Sequence, residues 1–367
     1  MAGSIVTAVR RRFGRRGVNV VGYLDAATGL GERARELVAT LRAAGIDVSE
    51  WPVPAGDDAP VPEQPVHDTT IAVVTAVQLA GVRERLPVPF ERCGRTIGYF
   101  FWELAAVPDE QQWGVGLVDE IWAPTRFVEA AYRSFTDTPV RHMPLPLPRP
   151  SRPSSASSVV LPAAGSFEVV VSFDFFSVME RKNPIGAIEA FRLAFPSHDD
   201  RVRLTVKTVH GAERPGQFDR LVAAAGDDPR IVVVDDELAH VDLLALIARA
   251  DVLLSLHRSE GLGLHIAEAM ALGTQVIASR YGGPLDIVDD TTAALVDVSL
   301  VEVADGEGAY AAPAQWADPD LDQAAEWLRR AYSDPEWRLE MVARAAARSA
   351  SSPTRTEIGA SLASALR

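Results

Sequence analysis

Short apolar runs alternate with stretches of helical periodicity along most of the chain. In the first half they predict a helix at 32–44 and four strands, at 18–24, 71–74, 96–100 and 120–123. In the second half they predict five strands, at 167–173, 201–208, 230–234, 251–256 and 274–278. Helices fit between and after these strands, at 184–195, 215–225, 239–249, 263–272 and 320–332. The Pro-rich stretch 51–68 is predicted to be a loop. This alternation is typical of a parallel sheet covered by helices.

A stretch rich in Pro, Ser and Arg separates the two halves. It has prolines at 144, 146, 148, 150, 153 and 162, which exclude a helix or a central strand. We therefore predict an N-terminal domain at 1–147, a linker at 148–163 and a C-terminal domain at 164–352. Two α/β domains imply a cleft, with ligands at the carboxyl ends of the strands.

Composition restricts the class of protein. A chain of 367 residues is long enough for two domains, and no apolar run approaches the ~18 residues that a membrane span needs. With 50 acidic and 36 basic residues, the net charge of −14 argues against a general nucleic-acid binder. The single cysteine, Cys93, excludes a disulfide framework and indicates a reducing compartment, so we expect the cytoplasm.

Five arginines near the N-terminus stand beside apolar residues. They are Arg10, Arg11, Arg12, Arg15 and Arg16. A short basic amphipathic segment can touch an anionic membrane, which would place the protein at its inner face. A solvated N-terminal extension is the other interpretation, and it is the one that we favour.

The chemistry of the chain concentrates at 259–270. Glu260 and Glu268 stand eight residues apart, with Gly261 and Gly263 just after the first carboxylate. The segment is predicted to run from a strand through a loop into a helix, whose first amides form an anion site. Two carboxylates around an anion site suit a ligand that carries hydroxyls on both sides of a phosphate. A nucleotide-sugar is such a ligand.

A second cluster of charge lies at the start of the C-terminal domain. Arg181 and Lys182 precede Asn183 and Pro184, and proline suits the first position of a helix. Cations are unfavourable at a helix N-terminus unless an anion binds there. The alternative interpretation is that Arg181 and Lys182 are two solvated surface cations. Because the Glu260 loop also predicts a phosphate site, we favour the binding of a diphosphate by these cations.

Other candidates carry weaker signals. Gly29 and Gly31 lie at a strand–loop–helix junction, where their amides could approach a phosphate, although an ordinary flexible loop fits equally well. Lys207 ends a predicted strand at the edge where a nucleotide would bind. His257 precedes Glu260 on the same loop and is a candidate donor contact, although a lone histidine more often has a structural role. Glu103 is the best first-half carboxylate for the cleft, with helix capping as the alternative.

No metal site is predicted. Asp318 and Asp320 form an Asp-x-Asp, but they follow no predicted strand and precede a helix, so helix capping explains them better. No Cys/His cluster with zinc spacing and no phosphate-loop lysine motif is present in the sequence. We therefore expect neither a metal nor a cofactor.

These motifs together resemble those of the retaining glycosyltransferases of family 4. The likeness lies in Glu260-Gly261-Leu262-Gly263-Leu264 continuing to Glu268, in Arg181-Lys182-Asn183-Pro184 and in Ser255-Leu256-His257-Arg258-Ser259. The resemblance implies an α/β protein of the GT-B fold, with two Rossmann-like parallel-sheet domains facing each other across a cleft. It implies an acceptor domain at 1–147, a donor domain at 164–352, and a C-terminal helix at 353–367 that packs back on the first domain.

The resemblance also implies an activity. It is the metal-independent transfer of a hexose from GDP-mannose or a UDP-hexose, with retention of anomeric configuration. The acceptor would be a glycan, a lipid-linked molecule or a small molecule. A non-catalytic partner subunit that binds nucleotide-sugars, and another GT-B enzyme such as a nucleotide-sugar epimerase, stay open as alternatives.

The family's residue roles carry over by position. Glu260 is expected to contact hydroxyls of the donor sugar, and Glu268 the ribose. Arg181 and Lys182 would hold the diphosphate, helped by the amides of Gly261, Leu262, Gly263 and Leu264 and by the Gly29–Gly31 loop. The chain departs from the family at Trp102-Glu103, where many relatives carry a His-Asp pair near the sugar. That departure leaves the role of Glu103 undefined.

Overall fold

The structure is a computed structural model that describes residues 17–26, 28–53, 67–85, 94–153, 165–196, 201–303, 310 and 314–367. The chain forms two compact units. The first unit comprises Met1–Pro146 with Pro353–Arg367, and the second comprises Leu147–Ser352. The basic segment at 10–16 and Cys93 lie outside the described residues.

The first unit is built on six parallel strands. They are β1 (Gly17–Gly22), β2 (Asp47–Pro52), β3 (Thr69–Val73), β4 (Arg95–Tyr99), β5 (Glu120–Ala123) and β6 (Val140–His142), in the order β2-β1-β3-β4-β5-β6. The helices are α1 (Gly29–Ala43), α2 (Ala76–Arg85), α3 (Gln112–Val115) and α4 (Arg126–Phe135). The four predicted strands are confirmed as β1, β3, β4 and β5. They could be predicted because central strands of a parallel sheet are buried and therefore apolar.

Two strands of the first sheet were not predicted, and both are edge strands. The predicted loop at 51–68 overlaps the end of β2, so its first two residues are wrongly assigned. Pro52 is tolerated there because an edge strand leaves one row of backbone groups without a ladder partner. At the other edge, β6 has only three residues and buries one of them. Neither strand needs the continuous apolar run by which a central strand is recognised.

The C-terminal segment belongs to the first unit. Helix α12 (Arg355–Ala365) buries Ile358 and Leu362 in the same apolar cluster as α1. Gly359 allows this close approach, because a Cβ there would lie 3.0 Å from the Thr40 carbonyl oxygen. The helix starts with a capping box formed by Thr354 and Glu357.

The second unit repeats the architecture. Its parallel strands are β7 (Phe167–Ser172), β8 (Val202–Thr208), β9 (Ile231–Asp235), β10 (Val252–Ser255), β11 (Gln275–Ser279) and β12 (Ala294–Val296), in the order β12-β11-β10-β7-β8-β9. The helices are α5 (Met179–Lys182), α6 (Pro184–Ala194), α7 (Pro215–Ala225), α8 (His240–Arg249), α9 (Leu264–Leu272), α10 (Leu321–Ser333) and α11 (Pro335–Ser351). The five predicted strands and five predicted helices are confirmed to within two residues at each end.

The prediction missed an antiparallel hairpin in the second unit. It consists of β13 (Val298–Glu302) and β14 (Gln315–Pro319). Asp318 lies within β14 and Asp320 directly follows it, so the prediction that this Asp-x-Asp follows no strand was wrong. Asp320 caps α10 by accepting a hydrogen bond from the Gln323 amide at 3.0 Å, as expected. No group of three or more His, Cys, Asp or Glu side chains that could hold a metal occurs among the described residues.

The described part of the predicted linker packs on the second unit. Leu147 contacts its apolar core, and Arg152 donates to the Ala248 carbonyl oxygen at 2.6 Å. Residues 147–153 are thus held by this unit, while 154–163 lie outside the described residues. Within the described ranges, no helix is long and apolar enough to cross a membrane.

Candidate active site

The candidate site lies where the strand order of the second sheet reverses. The chain runs from β7 outward to β8 and β9, and then returns to β10 on the other side of β7. Loops that leave β7 and β10 therefore diverge at their carboxyl ends, which is the usual ligand position in an open parallel sheet. The loop after β7 leads to Arg181 and Lys182, and the loop after β10 carries Glu260.

The paired cations sit in a short, irregular segment. Both belong to the single turn α5, and Asn183 separates this turn from α6, before which they were predicted to lie. Val178 and Asn183 on either side of the turn have φ values of +63° and +52°, which are unusual for residues with a side chain. The Asn183 side chain accepts from the Gly186 amide and donates to the Leu256 carbonyl oxygen at 3.0 Å. It thereby fastens the cations to the loop that follows β10.

Both cations meet Glu260. Lys182 forms an ion pair with Glu260, and the Arg181 guanidinium lies 3.6 Å from the same carboxylate oxygen. Arg181 is buried and also donates to the Ser259 carbonyl oxygen at 2.9 Å. Burial alone would raise the pKa of Glu260, but the charges of Lys182 and Arg181 outweigh it and hold the pKa well below its usual range. The cluster therefore carries one net positive charge at neutral pH.

The loop after Glu260 leads directly into α9. Its N-cap is Gly263, with a φ of +88° and no side chain to accept from the first amides of the helix. The Ser259 hydroxyl is buried and has no hydrogen-bond partner among the described residues. This uncapped helix start, close to Arg181 and Lys182, is suited to an anion.

A turn at 281–284 supports this loop through backbone contacts. The Gly283 amide donates to the Glu260 carbonyl oxygen at 2.8 Å. A Cβ on Gly283 would lie 1.9 Å from the Gly261 carbonyl oxygen, and a Cβ on Gly282 would lie 2.5 Å from that of Glu260. Only glycine at these two positions lets the backbones approach so closely. The sequence analysis did not single them out.

His257 was a candidate donor contact, with a structural role as the alternative, and its bonds in the structure fit the structural role. It is fully buried; Nε2 lies 3.0 Å from the Tyr281 carbonyl oxygen, and Nδ1 lies 3.0 Å from the Ser255 hydroxyl. Both ring nitrogens are thus bound within the protein. The sequence analysis overlooked His265, whose Nε2 lies 3.1 Å from the same Ser255 hydroxyl. The sequence feature that could have identified His265 is a titratable side chain in the first turn of a helix that is otherwise mostly apolar.

Two further predicted donor contacts are also buried. Glu268, in the second turn of α9, lies 3.3 Å from Nε2 of His240 at the start of α8. The Lys207 ammonium donates to the Thr208 carbonyl oxygen at 2.7 Å, and burial lowers its pKa against the opposing effect of Asp235. The Lys207 ammonium group therefore faces a backbone carbonyl oxygen of the protein in this structure. Leu262 and Leu264 are half-buried, and Leu262 packs against the core.

The remaining predicted residues lie in the first unit. Gly29 is exposed at the first position of α1, whereas the Gly31 amide donates to the hydroxyl of Thr28, which caps the helix. A Cβ on Gly31 would lie 2.3 Å from the Ala26 carbonyl oxygen, so packing accounts for this glycine. Glu103 is half-buried and starts no helix, which rules out the capping alternative. Burial, and then the Glu103 charge, raise the pKa of Tyr132.

The two histidines make the fold acid-sensitive. Burial lowers the pKa of His257 below 6.5, and burial followed by the Lys182 charge lowers that of His265 to about 3. Below pH ~6.5 the unfolded chain binds more protons than the folded one, so the free energy of unfolding falls as pH drops toward 3. At pH ~5 we expect His265, whose pKa is about 3, to lower it by about 2 kcal/mol relative to neutral pH, and His257 to act in the same direction.

Urea unfolding at neutral pH and at pH ~5 measures this effect, because that window lies above the ordinary pKa of carboxyl groups. The variant His265→Gln should lose less stability than the wild type on acidification. Equal losses in the two proteins would show that His265 is not held neutral by the fold.

The second unit is similar to known glycosyltransferases. Residues 174–315, which contain the Arg181–Lys182–Glu260 cluster, match the family described as Glycosyl transferases group 1. The predicted resemblance to the glycosyltransferases is confirmed. A D-inositol 3-phosphate glycosyltransferase of Corynebacterium kroppenstedtii is 36% identical over 89 residues, and that of Mycobacterium bovis is 33% identical over 141 residues. These matches cover 24% and 38% of this chain, but only 20% and 25% of the respective relatives.

Solved structures of glycosyltransferases share the whole architecture. The apo structure of OtsA has a TM-score of 0.68 at 12% identity and covers 96% of this chain and 99% of its own. The Anabaena protein HepE in complex with UDP-glucose has a TM-score of 0.67 at 15% identity, with the same coverage of 96% and 99%. The α,α-trehalose 6-phosphate synthase of Burkholderia multivorans reaches 0.65 at 13% identity, covering 96% and 98%. At such identities the likeness concerns the fold alone, and the predicted GT-B fold is confirmed.

Proposed function

We propose that this protein is a retaining glycosyltransferase that moves a hexose from a nucleotide-diphosphate sugar to an acceptor without a metal ion or cofactor. The observation that carries the proposal is the convergence of Arg181 and Lys182 on Glu260 beside the uncapped start of α9. Two cations, a carboxylate and an uncapped helix start, brought together from the segments after β7 and β10, suit a diphosphate joined to a sugar.

The charges supply the catalysis in this proposal. As the bond between the sugar and the diphosphate breaks, negative charge grows on the departing phosphate. Arg181 is already buried and oriented by the Ser259 and Ser177 carbonyl oxygens, so it needs no reorganisation to stabilise that charge. Lys182 adds a second charge at the same place. The phosphate itself then takes the proton of the attacking acceptor hydroxyl on the face that it leaves, which retains the anomeric configuration.

Carboxylates select the donor in the same proposal. Glu260 is ionised across the physiological range, because its pKa is held low, and it accepts hydrogen bonds from hydroxyls of the hexose. Glu268 is one and a half turns into α9 and accepts from the ribose. The donor is GDP-mannose or a UDP-hexose; HepE in complex with UDP-glucose shows a protein of this fold with such a ligand. The acceptor is a glycan, a lipid-linked molecule or a small molecule.

Nucleotide binding is the direct test of this proposal. A ligand that binds only the folded state stabilises it, by about 2.7 kcal/mol at a hundred times its Kd. We expect UDP or GDP, in a thermal-shift series that also includes dTDP, to raise the Tm by several degrees, and EDTA to leave that shift unchanged. The matching nucleotide-sugar should then be turned over with release of the nucleoside diphosphate.

The controls separate the competing functions. Lys182→Gln should abolish the shift, whereas Arg220→Gln, which removes an exposed cation paired with Glu180, should preserve it. Binding without turnover across broad acceptor panels would favour a non-catalytic partner subunit. No shift with any of the three nucleotides would contradict the proposal.

A further inference from the structure

A chain of hydrogen bonds joins the start of α9 to the turn at 281–284. Nε2 of His265 lies 3.1 Å from the Ser255 hydroxyl, that hydroxyl lies 3.0 Å from Nδ1 of His257, and Nε2 of His257 lies 3.0 Å from the Tyr281 carbonyl oxygen. Ser255 and His257 are buried. Ser255 and His265 have no assigned role in the proposed reaction, and His257 was considered only as a candidate ligand contact.

His257 has a backbone carbonyl oxygen near each ring nitrogen. Nε2 lies 3.0 Å from the Tyr281 carbonyl oxygen, and Nδ1 lies 3.1 Å from the Ser255 carbonyl oxygen as well as 3.0 Å from the Ser255 hydroxyl. Burial and the charges of Lys182 and Arg181 lower the pKa of His257 and favour the neutral ring, which carries one proton. The Ser255 hydroxyl, which can both donate and accept, is the side-chain link between His257 and His265.

This chain spans the segment that carries Glu260. Ser255 ends β10 and His265 lies in the first turn of α9, so the two residues enclose the loop between them. Tyr281 precedes Gly282 and Gly283, whose backbones contact those of Glu260 and Gly261. One chain of hydrogen bonds thus connects the strand, the helix and the supporting turn on which the position of Glu260 depends.

We infer that Ser255 and His265 are positioning residues for the donor loop, with Ser255 as the link that joins the two histidines. This inference rests on the proposed function, because the loop that they hold is the donor site. Neither side chain needs to touch the substrate. Without the Ser255 hydroxyl, His265 loses this partner and His257 keeps only backbone partners, so the first turn of α9 is no longer joined through these side chains to the turn at 281–284.

A serine on the neighbouring strand provides a matched control. Ser279 ends β11, directly beside β10, and is buried like Ser255. Its hydroxyl has no hydrogen-bond partner among the described residues. Ser279→Ala therefore removes the same group from the same sheet edge without breaking the chain. At the other end, His265→Gln keeps an N–H donor in place of Nε2, whereas His265→Leu removes it.

The experiment compares these variants by donor kinetics and by hydrogen exchange of peptides that cover residues 256–266. We expect Ser255→Ala and His265→Leu to lower kcat/KM for the donor by about tenfold and to speed exchange in those peptides, since misplacement of binding groups weakens catalysis. Ser279→Ala and His265→Gln should stay within about twofold of the wild type.

The pH profile adds a readout that loosened packing would not move. The Ser255 hydroxyl bonds ring nitrogens of both histidines, so its removal should shift the acid limb of kcat/KM, whereas removal of the Ser279 hydroxyl should not. Equal behaviour of Ser255→Ala and Ser279→Ala in kinetics and exchange would overturn the inference. Failure of the wild type to bind or turn over any donor would instead refute the proposed function, and the exchange data would still decide whether the chain holds the loop.

Discussion

Replacing Lys182 by glutamine is expected to lower the kcat of donor turnover by about a hundredfold to a thousandfold. The substitution removes one of the two cations that face Glu260 while keeping a side chain of similar length. Transition-state charge on the departing diphosphate then has only Arg181 to stabilise it. Steady-state release of nucleoside diphosphate from the donor identified by thermal shift measures the loss.

The fold should survive this change, because Arg181 stays 3.6 Å from Glu260 and keeps its bond to the Ser259 carbonyl oxygen. Circular dichroism and the Tm without ligand verify this. Arg220→Gln, at an exposed ion pair with Glu180, is the control for removing a cation from this unit and should retain full activity. A Lys182→Gln enzyme within a factor of about five of the wild type would contradict the assignment of Lys182 to the diphosphate.

Gly283→Ala is expected to destabilise the second unit by about 3 kcal/mol or more and to abolish nucleotide binding. The new Cβ would stand 1.9 Å from the Gly261 carbonyl oxygen and 2.4 Å from its carbon. Both are backbone atoms, so no side chain can rotate away to make room. The loop would have to move, and with it the Glu260 carbonyl oxygen that accepts from the Gly283 amide. Urea unfolding with and without the nucleotide separates the two effects.

Gly216→Ala controls for the loss of a glycine in the same unit. Gly216 is exposed near the start of α7, and a Cβ there would meet no atom within 4 Å. Since alanine favours a helix by up to about 1 kcal/mol over glycine, this variant should be as stable as the wild type or slightly more so. If Gly283→Ala were equally harmless, the close packing of the turn against the donor loop would be refuted.

The hydrophobic pattern predicted most of the fold, and the reason is burial. Central strands such as β7 and β10 are covered on both faces, so their sequences are continuous apolar runs with little ambiguity. The helix predicted at 215–225 matches α7 residue for residue, because Pro215 starts it and Gly226 ends it. The edge strand β2 and the hairpin of β13 and β14 escaped prediction, since strands that face solvent need no such run.

The residues of the candidate site also differ in how well the sequence predicted them. Spacing and residue type were sufficient to select Arg181, Lys182 and Glu260, because the positions of all three follow from strand–loop–helix junctions in the chain itself. The structure brings them into contact as one charged cluster. Gly31, Lys207 and His257 were selected by the same reasoning, yet the structure binds their polar groups within the protein.

The sequence by itself determined the two α/β halves, the motif with Glu260 and Glu268, and the cations that accompany it, because these features depend on residues close together in the chain. Only the tertiary structure decided how they are held. The bond from His257 to Tyr281 and the contact of Gly283 with Gly261 join segments more than 20 residues apart. Such contacts depend on how strands are ordered in the sheet, and no local pattern of hydrophobic and polar residues records that order.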